Sequence, residues 1–323
     1  MNKIANRIRN IFLAMFSILI LSQETTFAAG NVISSAAGGS HSLILRSDGT
    51  VWAWGNNGNG QLGDGTFEQR NEPVLVKGLT GVTKIAAGSS HSLALKSDGT
   101  VWGWGWNGKG QLGNNTTTSS NISKPVQAVG LTDVIDIAAG DAHGLALKKD
   151  GTVWIWGSNS TNLPTRVESL TDVRAIAAAG AHNLTVKKDG TVWSWGWNGY
   201  GQLGINNTGS KDVPTKVSNL SNIVSVAAGF HHSLALDVEG KVYAWGGNTY
   251  GQVGDGTTTQ RNAPVEVPSL VDIVEIASGS YSYHTLALKK DGTVYAWGLG
   301  TSGQLGNGTT TNSNIPIQVN IVP

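Results

Sequence analysis

The stretch SDGTVWAWG, residues 47–55, joins an Asp-Gly turn dipeptide to alternating tryptophans, a pattern typical of a tight β-hairpin. It returns five more times, as SDGTVWGWG (97–105), KDGTVWIWG (149–157), KDGTVWSWG (188–196), VEGKVYAWG (238–246) and KDGTVYAWG (290–298). One histidine precedes each hairpin, and successive histidines are 50, 52, 39, 50 and 52 residues apart: His41, His91, His143, His182, His232 and His284. A period of about 40–50 residues rich in β signals predicts a propeller or a solenoid.

Each repeat unit reads as four short strands with glycine-rich and asparagine-rich connections. In the second unit these strands are VTKIAAG (82–88), HSLALKS (91–97), TVWGWG (100–105) and KPVQAVG (124–130). We therefore predict an all-β fold, a single closed β-propeller of six four-stranded blades, with seven blades as the alternative. The units cover about 32–81, 82–133, 134–172, 173–222, 223–272 and 273–323. A parallel β-helix has little use for six antiparallel hairpins.

The hairpin register predicts how the blades stack. A two-residue type I′ loop at Asp98-Gly99 would pair Leu95 with Trp102 and Leu93 with Trp104. One face would then be bulky and the other nearly flat, so each blade would bury its bulky face against a neighbour. The bulky face would hold His91, Leu93, Leu95, Trp102 and Trp104, and the flat face Ser92, Ala94, Val101 and Gly103.

The repeated tryptophans are predicted core residues on this interpretation. The pairs stand at 52/54, 102/104, 154/156 and 193/195, and the last position of each motif gives Trp54, Trp104, Trp156, Trp195, Trp245 and Trp297. For the closure of the ring, we expect IPIQVNIV (315–322) to meet NVISSAAG (31–38) at the seam. The third unit departs from the others because SNSTNLPTRV follows Gly157 where they carry a G-Q-L-G loop.

The first 29 residues have the pattern of a secretory signal peptide. Lys3, Arg7 and Arg9 precede the apolar run 11–21, and small residues end the segment. That run is shorter than the roughly 20 residues of a transmembrane helix, so an uncleaved anchor is the weaker alternative. We therefore expect residues 30–323 to be secreted, as an extracellular or cell-surface protein.

Composition excludes several classes of function. The chain has no cysteine, which rules out disulfides, thiolate metal sites and cysteine nucleophiles. Residues 30–323 carry 19 basic and 20 acidic residues, a net charge of −1, so nucleic acid is not an expected partner.

Nothing in the sequence favours an enzyme. The repeat histidines stand at equivalent positions of different blades, which does not suit a metal or acid–base site, and we expect their ring nitrogens to bond nearby backbone. His231 is the one histidine outside that pattern. No G-x-S-x-G elbow, Walker loop, Rossmann fingerprint or EF-hand loop is found, so no catalytic residue, metal or cofactor is predicted.

Hairpin direction places a candidate binding surface on one rim of the ring. The residues just before each repeat histidine and just after each final Trp-Gly lie at the same end of a blade. Aromatic side chains concentrate there, at Trp106, Trp197, Tyr200, Phe230, His231, Tyr250, Tyr281 and Tyr283. Aromatics on loops are common anchors of protein–protein contacts. As an alternative, Trp106 and Trp197 would tuck beneath their own N-G-x-G-Q-L-G loops.

Read as a whole, a unit such as IAAGSSHSLALKSDGTVWGWGWNGKGQLGNNT (85–116) resembles the RCC1 repeat of the regulator of chromosome condensation propellers. The matching motifs are A-A-G-x-x-H-S-L-A-L, D-G-x-V-W-x-W-G, N-x-x-G-Q-L-G and a later P-V, over residues 32 to about 320. The best-known members have seven blades, and their founder is a nucleotide-exchange factor for a nuclear GTPase that also contacts chromatin. An exported chain of near-zero charge meets neither of these partners.

Exported bacterial members, including propeller-type β-lactamase inhibitory proteins, are closer in habitat. The resemblance implies a monomeric, non-enzymatic propeller that binds a protein, with a β-lactamase or a cell-wall enzyme as the specific candidates. A carbohydrate-binding or cell-wall-binding module is the alternative, favoured if the rim aromatics lie flat and exposed.

Overall fold

The computed structural model describes residues 30–117, 121–158 and 161–321, so the predicted signal peptide lies outside the described residues. Over these ranges the chain forms 24 strands in six four-stranded antiparallel sheets. The predicted six-bladed, all-β propeller is therefore confirmed. No helix of the described ranges is long and apolar enough to cross a membrane.

The blades follow the chain in order. Blades 1 to 3 are β1 (Val32–Ala37), β2 (His41–Arg46), β3 (Val51–Gly55), β4 (Arg70–Leu75); β5 (Val82–Ala87), β6 (His91–Lys96), β7 (Val101–Gly105), β8 (Ile122–Gln127); and β9 (Val134–Ala139), β10 (His143–Lys148), β11 (Val153–Gly157), β12 (Thr165–Arg166). Blades 4 to 6 are β13 (Val173–Ala179), β14 (His182–Lys187), β15 (Val192–Gly196), β16 (Lys211–Lys216); β17 (Ile223–Ala228), β18 (His232–Asp237), β19 (Val242–Gly246), β20 (Arg261–Glu266); and β21 (Ile273–Ala277), β22 (His284–Lys289), β23 (Val294–Gly298), β24 (Ser313–Gln318).

The first strand of every blade lines a central channel of about 770 Å³. Small side chains such as Ala86, Ala138 and Ala177 form its wall, which allows the six inner strands to approach one axis. The four strands of each blade pair in sequence order from this inner strand to the outer edge. The repeat unit and the blade therefore coincide.

The hairpin turn differs from the prediction. Gly99 N–H donates to Lys96 O at 2.9 Å and Lys96 N–H donates to Thr100 O at 2.9 Å, which makes a three-residue loop of Ser97, Asp98 and Gly99. Gly99 has a φ of +78°, as the left-handed last residue of such a loop requires. One extra loop residue shifts the register by one, so Leu95 pairs with Val101.

The register shift exchanges the two faces of each blade. Ala94 now opposes Trp102, and Ser92 opposes Trp104, so the tryptophans share a face with small residues rather than with the leucines. The predicted bulky and flat faces were therefore wrong in composition. The blades still stack because both faces are apolar: from blade 1 to blade 6, the leucine face of one blade packs on the tryptophan face of the following blade.

The interface between blades 1 and 2 illustrates this packing. Leu43 and Leu45 of blade 1 are fully buried against Trp104 of blade 2. The Trp104 indole N–H donates to Gln61 O of the G-Q-L-G loop at 2.8 Å. The same bond recurs from Trp156 to Gln111 O, from Trp245 to Gln202 O and from Trp297 to Gln252 O. Burial of this large side chain with its one polar atom satisfied stabilises each interface.

The first tryptophan of each motif is closer to the surface than predicted. Trp102 is half-buried, its indole N–H donates to the Thr100 hydroxyl at 3.1 Å, and the Lys96 ammonium lies 5.6 Å from its ring centroid. Trp52, Trp154 and Trp193 repeat this arrangement. These residues cap the outer part of the blades, and only the second tryptophan is a core residue.

The seam between blade 6 and blade 1 differs from the other interfaces. Five buried apolar clusters join blades 1–2, 2–3, 3–4, 4–5 and 5–6 among the described residues. At the seam, Leu286 and Leu288 remain half-buried, and so does Trp54 on the other side. Trp54 was predicted to be a core residue and is not, because no blade packs closely on it.

The two end segments belong to the two blades that flank the seam, and they do not pair with each other. β24 is the outer strand of blade 6 and β1 is the inner strand of blade 1, and each pairs only within its own sheet. Val32 and Ile315 are correspondingly exposed, at 56% and 47%. Each blade is thus complete without a strand from the other end of the chain.

Candidate functional site

The repeat histidines serve the blade interfaces. His41 Nε2 lies 2.9 Å from the Ser92 hydroxyl of blade 2, and His232 Nε2 lies 3.0 Å from the Thr285 hydroxyl of blade 6. His143 and His182 make the same contact with Asn183 and Ser233. These partners are side chains of the next blade, so the predicted bonds to nearby backbone were wrong.

Burial keeps these histidines uncharged. It lowers the pKa of His91, His182 and His232 to about 3 and that of His41 to about 4. Adjacent histidines of the ring would add charge repulsion if they were protonated. Within the described ranges no group of three or more His, Asp or Glu side chains could hold a metal ion. The histidines are interface residues by position and by chemistry.

Seven of the eight predicted rim residues meet in one cluster on blades 4, 5 and 6, which we call the aromatic patch. Its stacked centre runs from Tyr200 to His231 (4.3 Å between ring centroids), from His231 to Phe230 (4.2 Å) and from Phe230 to Tyr281 (4.3 Å). Trp197 and Tyr283 pack edge-on or tilted around it, and Tyr250 contacts Tyr283.

Blade geometry explains this convergence. His232 pairs with Gly246, so the chain before β18 and the chain after β19 leave the blade at one end. That end holds Phe230 and His231, and the neighbouring blades add Tyr283, just before β22, and Trp197, just after β15. The sequence pattern therefore located the patch correctly, and the ring brings its members together.

The loops that carry the patch are internally braced. Tyr200 N–H donates to Gln202 Oε1 at 3.0 Å, and Leu203 N–H donates to Asn198 Oδ1 at 2.9 Å. Tyr250 N–H donates to Gln252 Oε1 at 2.9 Å in the next blade. A surface fixed before binding loses little conformational entropy when a partner arrives.

The patch is uncharged at neutral pH. Burial lowers the pKa of His231 and raises the pKa of the Tyr283 hydroxyl. Trp197, Tyr200 and Tyr281 are each about 40% exposed, so the patch presents apolar area together with hydroxyl and indole N–H groups. Such side chains can bury a large area and still satisfy their polar atoms.

Trp106 lies apart from the patch. It is half-buried over its own loop, where a Cβ built on Gly108 would lie 2.8 Å from its Nε1. Trp197 covers Gly199 in the same way and also contacts Tyr200 and His231. Both therefore pack on their own loops, as the alternative held, and Trp197 additionally belongs to the patch.

The loop before β22 crosses the channel beside the patch, a feature that the sequence pattern did not indicate. Ser280 Oγ lies 2.9 Å from Ala87 O and 2.7 Å from Ala139 O, on blades 2 and 3. Gly180 N–H of blade 4 donates to Ser280 O at 3.1 Å. The longer SYSY segment was the only signal, and it supplies Tyr281 and Tyr283 as well as this crossing.

Comparisons with known proteins agree with this architecture. The family model described as the RCC1-like domain matches residues 18–322. Mouse E3 ubiquitin-protein ligase HERC2 is 34% identical over 125 residues, which are 38% of this chain and 3% of HERC2. The Ultraviolet-B receptor UVR8 of Arabidopsis thaliana is 31% identical over 141 residues, 43% of this chain and 32% of UVR8. The matched stretch thus spans less than a third of either relative.

Solved structures extend the likeness to almost the whole ring. Prp20p from Saccharomyces cerevisiae superposes with a TM-score of 0.79 at 26% identity, covering 90% of this chain and 77% of Prp20p. Human WBSCR16 gives a TM-score of 0.80 at 26% identity, covering 90% of this chain and 82% of WBSCR16. From its sequence and its blades, the chain belongs to the RCC1-like domain family of β-propellers.

Proposed function

We propose that this protein is an exported, non-enzymatic propeller that binds a partner protein through the aromatic patch. The observation that carries the proposal is the contact between aromatic rings from three blades, stacked at 4.2–4.3 Å and partly exposed at one rim. Clustered aromatics on braced loops have the composition and rigidity of hot spots in protein interfaces.

The family supports a binding role. The solved relative Prp20p has been characterised for its binding to Gsp1p and histones, and yeast RCC1 has been solved bound to Kap60. Those partners belong to those proteins. They support, for this chain, the use of an RCC1-like ring to bind proteins. The partner of this chain must match an uncharged aromatic surface.

A protein fits the patch better than a sugar does. A sugar-stacking site needs a ring face that is open to solvent. Here Phe230 and His231 have their faces covered by neighbouring rings, while Trp197 and Tyr281 offer partial exposure. A carbohydrate or cell-wall ligand is therefore the outcome that the tests below must separate from a protein.

The specific candidates for the partner are a class A β-lactamase or a cell-wall enzyme of the exported compartment. The first test titrates the purified protein into a class A β-lactamase and follows hydrolysis of a chromogenic cephalosporin. Stoichiometric inhibition supports an inhibitor, and no inhibition at micromolar protein removes that version of the proposal.

The second test locates the binding surface whatever the partner is. The protein is immobilised and exposed to culture fluid and, separately, to a glycan array. Trp197→Ala combined with Tyr281→Ala should weaken protein capture by about 30-fold or more, the loss of one hot spot. Phe67→Ala removes an exposed aromatic of blade 1 outside the patch and should change nothing. Capture that is insensitive to the patch variant, or binding to glycans alone, would overturn the proposal.

Export requires its own measurement. Cell fractionation followed by N-terminal sequencing of the extracellular protein should give a chain that begins near residue 30. A chain that stays in the cytoplasm with its first residues intact would refute the exported part of the proposal and leave the binding surface to be judged separately.

A further inference from the structure

The interface between blades 3 and 4 lacks a part that the other interfaces possess. Blade 3 passes from Gly157 to its short outer strand β12 without a G-Q-L-G loop. A cavity of about 600 Å³ lies there, lined by Ile155 and Val167 of blade 3 and by Trp195, Lys211 and Asp212 of blade 4. We call this cavity the slot.

The filled interfaces show what occupies the same place. In blade 1, Gln61 O accepts a hydrogen bond from Trp104 Nε1 of blade 2, and the next residue, Leu62, is fully buried. Four residues after Gln61, Gly65 N–H donates to Ser123 O of blade 2 at 2.9 Å. One turn of chain thus satisfies a donor and an acceptor of the next blade and fills the space between them.

This pairing recurs at every filled interface with the same spacing. The carbonyls of Gln111, Gln202 and Gln252 each accept the tryptophan N–H of the following blade. Four residues later, the N–H groups of Asn115, Asn206 and Gly256 donate to Asn162 O, Asn262 O and Asn314 O. The loop that fills each of these interfaces thus offers a backbone carbonyl and, four residues later, a backbone N–H to the next blade. We call this pair of groups the signature of the loop.

The slot keeps both partners of that signature. Trp195 is only 5% exposed, yet no acceptor among the described residues bonds its indole N–H, in contrast to Trp104 and its equivalents. Asp212 is the second residue of β16, as Ser123 is of β8, and it lines the slot. No N–H of the described part of blade 3 donates to Asp212 O. The indole N–H of Trp195 is thus open to the slot, and a ligand that supplies an acceptor there would satisfy it.

The side chains that line the slot indicate which side chains a ligand should carry. At the position of Ile155, blades 1, 2, 4, 5 and 6 have alanine, glycine or serine. The larger Ile155 side chain therefore forms, together with Val167, an aliphatic part of the cavity wall. At the rim, Arg166 is ion-paired with Glu168, 3.7 Å from Nε to Oε2, so Lys211 is the cation of the lining that has no carboxylate partner among the described residues. The slot therefore suits an aliphatic side chain flanked by an acidic one.

We propose that the slot binds a turn-forming loop of a partner protein that imitates the missing G-Q-L-G loop. The partner's backbone carbonyl accepts from Trp195 Nε1, and its N–H four residues later donates to Asp212 O. An aliphatic side chain between them rests on Ile155, and a carboxylate lies beside Lys211. This site is distinct from the aromatic patch, although Trp197 borders both.

The test uses a cyclic peptide with the sequence of residues 57–66, NGNGQLGDGT, because that loop carries the carbonyl, the leucine and an acidic residue. Cyclisation lowers the entropy lost on binding. Calorimetry with the purified protein should give saturable one-to-one binding tighter than about 1 mM. Trp195→Phe, which removes only the indole N–H and part of the ring, should weaken it about fivefold.

Trp245→Phe is the matched control, because its N–H is already bonded to Gln202 O within a filled interface. It should leave the affinity for the peptide unchanged. Replacing leucine by alanine, or aspartate by asparagine, within the peptide should also weaken binding, and these peptides do not depend on the folding of a variant. Absence of saturation by about 1 mM, or equal affinity of the wild type and Trp195→Phe, would overturn the proposal.

Discussion

The interface between blades 1 and 2 and the seam between blades 6 and 1 are built from equivalent residues and differ in burial. Trp104 is fully buried, whereas Trp54, at the same repeat position, is half-exposed. Leu43 is fully buried, whereas its blade 6 equivalent Leu286 is half-exposed. Burial is therefore a property of the neighbour that a blade meets, and the motif alone does not determine it.

The seam is closed near the axis and open farther out. A Cβ built on Gly279 would lie 3.6 Å from Ala37 O, so the loop before β22 reaches blade 1 at the channel. Ser280 of that loop also bonds to blades 2 and 3. Beyond the channel, the leucine face of blade 6 and the tryptophan face of blade 1 do not pack. The crossing loop replaces part of the contact that a sixth full interface would make.

The largest expected effect is the response of the closed interfaces to acid. His91, His182 and His232 have a folded-state pKa of about 3, against about 6.5 in an unfolded chain. Below pH 6.5 the unfolded state binds protons that the folded state rejects, so stability falls by about 1.4 kcal/mol per pH unit for each histidine. From pH 6.5 to 5 these three histidines together should lower the unfolding free energy by about 5 kcal/mol, measured by urea unfolding.

Two histidine variants test whether the loss of stability in acid comes from the closed interfaces or from the seam. His91→Gln should reduce the slope of stability against pH by about one histidine's share. His284→Gln should reduce it less, because His284 is only half-buried at the seam and its Nδ1 already bonds the Ser282 hydroxyl. A stability that stays flat between pH 7 and 5 would contradict the neutral, buried state of these rings.

The next largest effect compares the two tryptophans directly. Trp104→Ala removes a fully buried ring and leaves a cavity against Leu43 and Leu45, which should cost about 3–5 kcal/mol in unfolding free energy. Trp54→Ala removes a ring that is only partly buried at the open seam, and a smaller loss of about 1–2 kcal/mol is expected. Chemical denaturation of both variants checks the difference. Equal losses would mean that blade 6 packs on blade 1 in solution as tightly as the other blades pack together.

The repeats predicted the blades, and they did not predict the register or the seam. Asp98-Gly99 suits a two-residue and a three-residue hairpin loop alike, and those loops differ by one residue in the strand pairing. Only the observed bonds of Gly99 and Lys96 distinguish them. The openness of the seam depends on the angle between successive blades. The angles between successive blades add up around the ring, and no single repeat unit determines their sum.

A third prediction concerns the one histidine whose partner is missing inside a closed interface. His91 has no bonded ring nitrogen among the described residues, because Gly144 stands where the next blade elsewhere carries Ser, Asn or Thr. Restoring the repeat with Gly144→Ser should nevertheless destabilise the protein by roughly 2–3 kcal/mol. A Cβ on Gly144 would lie 2.4 Å from Trp156 Cζ2.

Thermal unfolding of Gly144→Ser and Gly144→Ala should show a lower Tm for both. A gain in stability would mean that the Trp156 ring shifts easily and that the hydrogen bond to His91 outweighs its packing. Blades 1, 2 and 5 carry serine at this position, opposite Trp54, Trp104 and Trp245. The expected clash therefore comes from the position of the Trp156 ring in blade 3.

The candidate site was predictable in its position and less so in its extent. Hairpin direction placed Phe230, His231 and Tyr283 at one rim, because residues that flank a hairpin share an end of the blade. Stacking between blades could not be read from residues about 50 apart in the chain. Trp106 had the same local pattern as Trp197, but it has no aromatic neighbour in the described part of the ring, so it stays on its own loop.

The smallest expected change in unfolding free energy comes from removing one hydroxyl, Ser92 at the interface between blades 1 and 2 or Ser42 at the seam. The Ser92 hydroxyl donates to Gln61 O at 2.9 Å and therefore accepts from the Nε2–H of His41, so Ser92→Ala leaves this buried ring nitrogen without a partner. Gln61 O keeps its hydrogen bond from Trp104 Nε1. A loss of about 1–2 kcal/mol is expected. Ser42 is the equivalent residue at the seam and is half-buried, so Ser42→Ala should cost less than about 0.5 kcal/mol. Both are measured by urea unfolding at pH 7.5, where the histidines are neutral in either state. A cost at Ser42 equal to that at Ser92 would show that His284 reaches across the seam in solution, and the ring would then be closed by the same bond that joins its other blades.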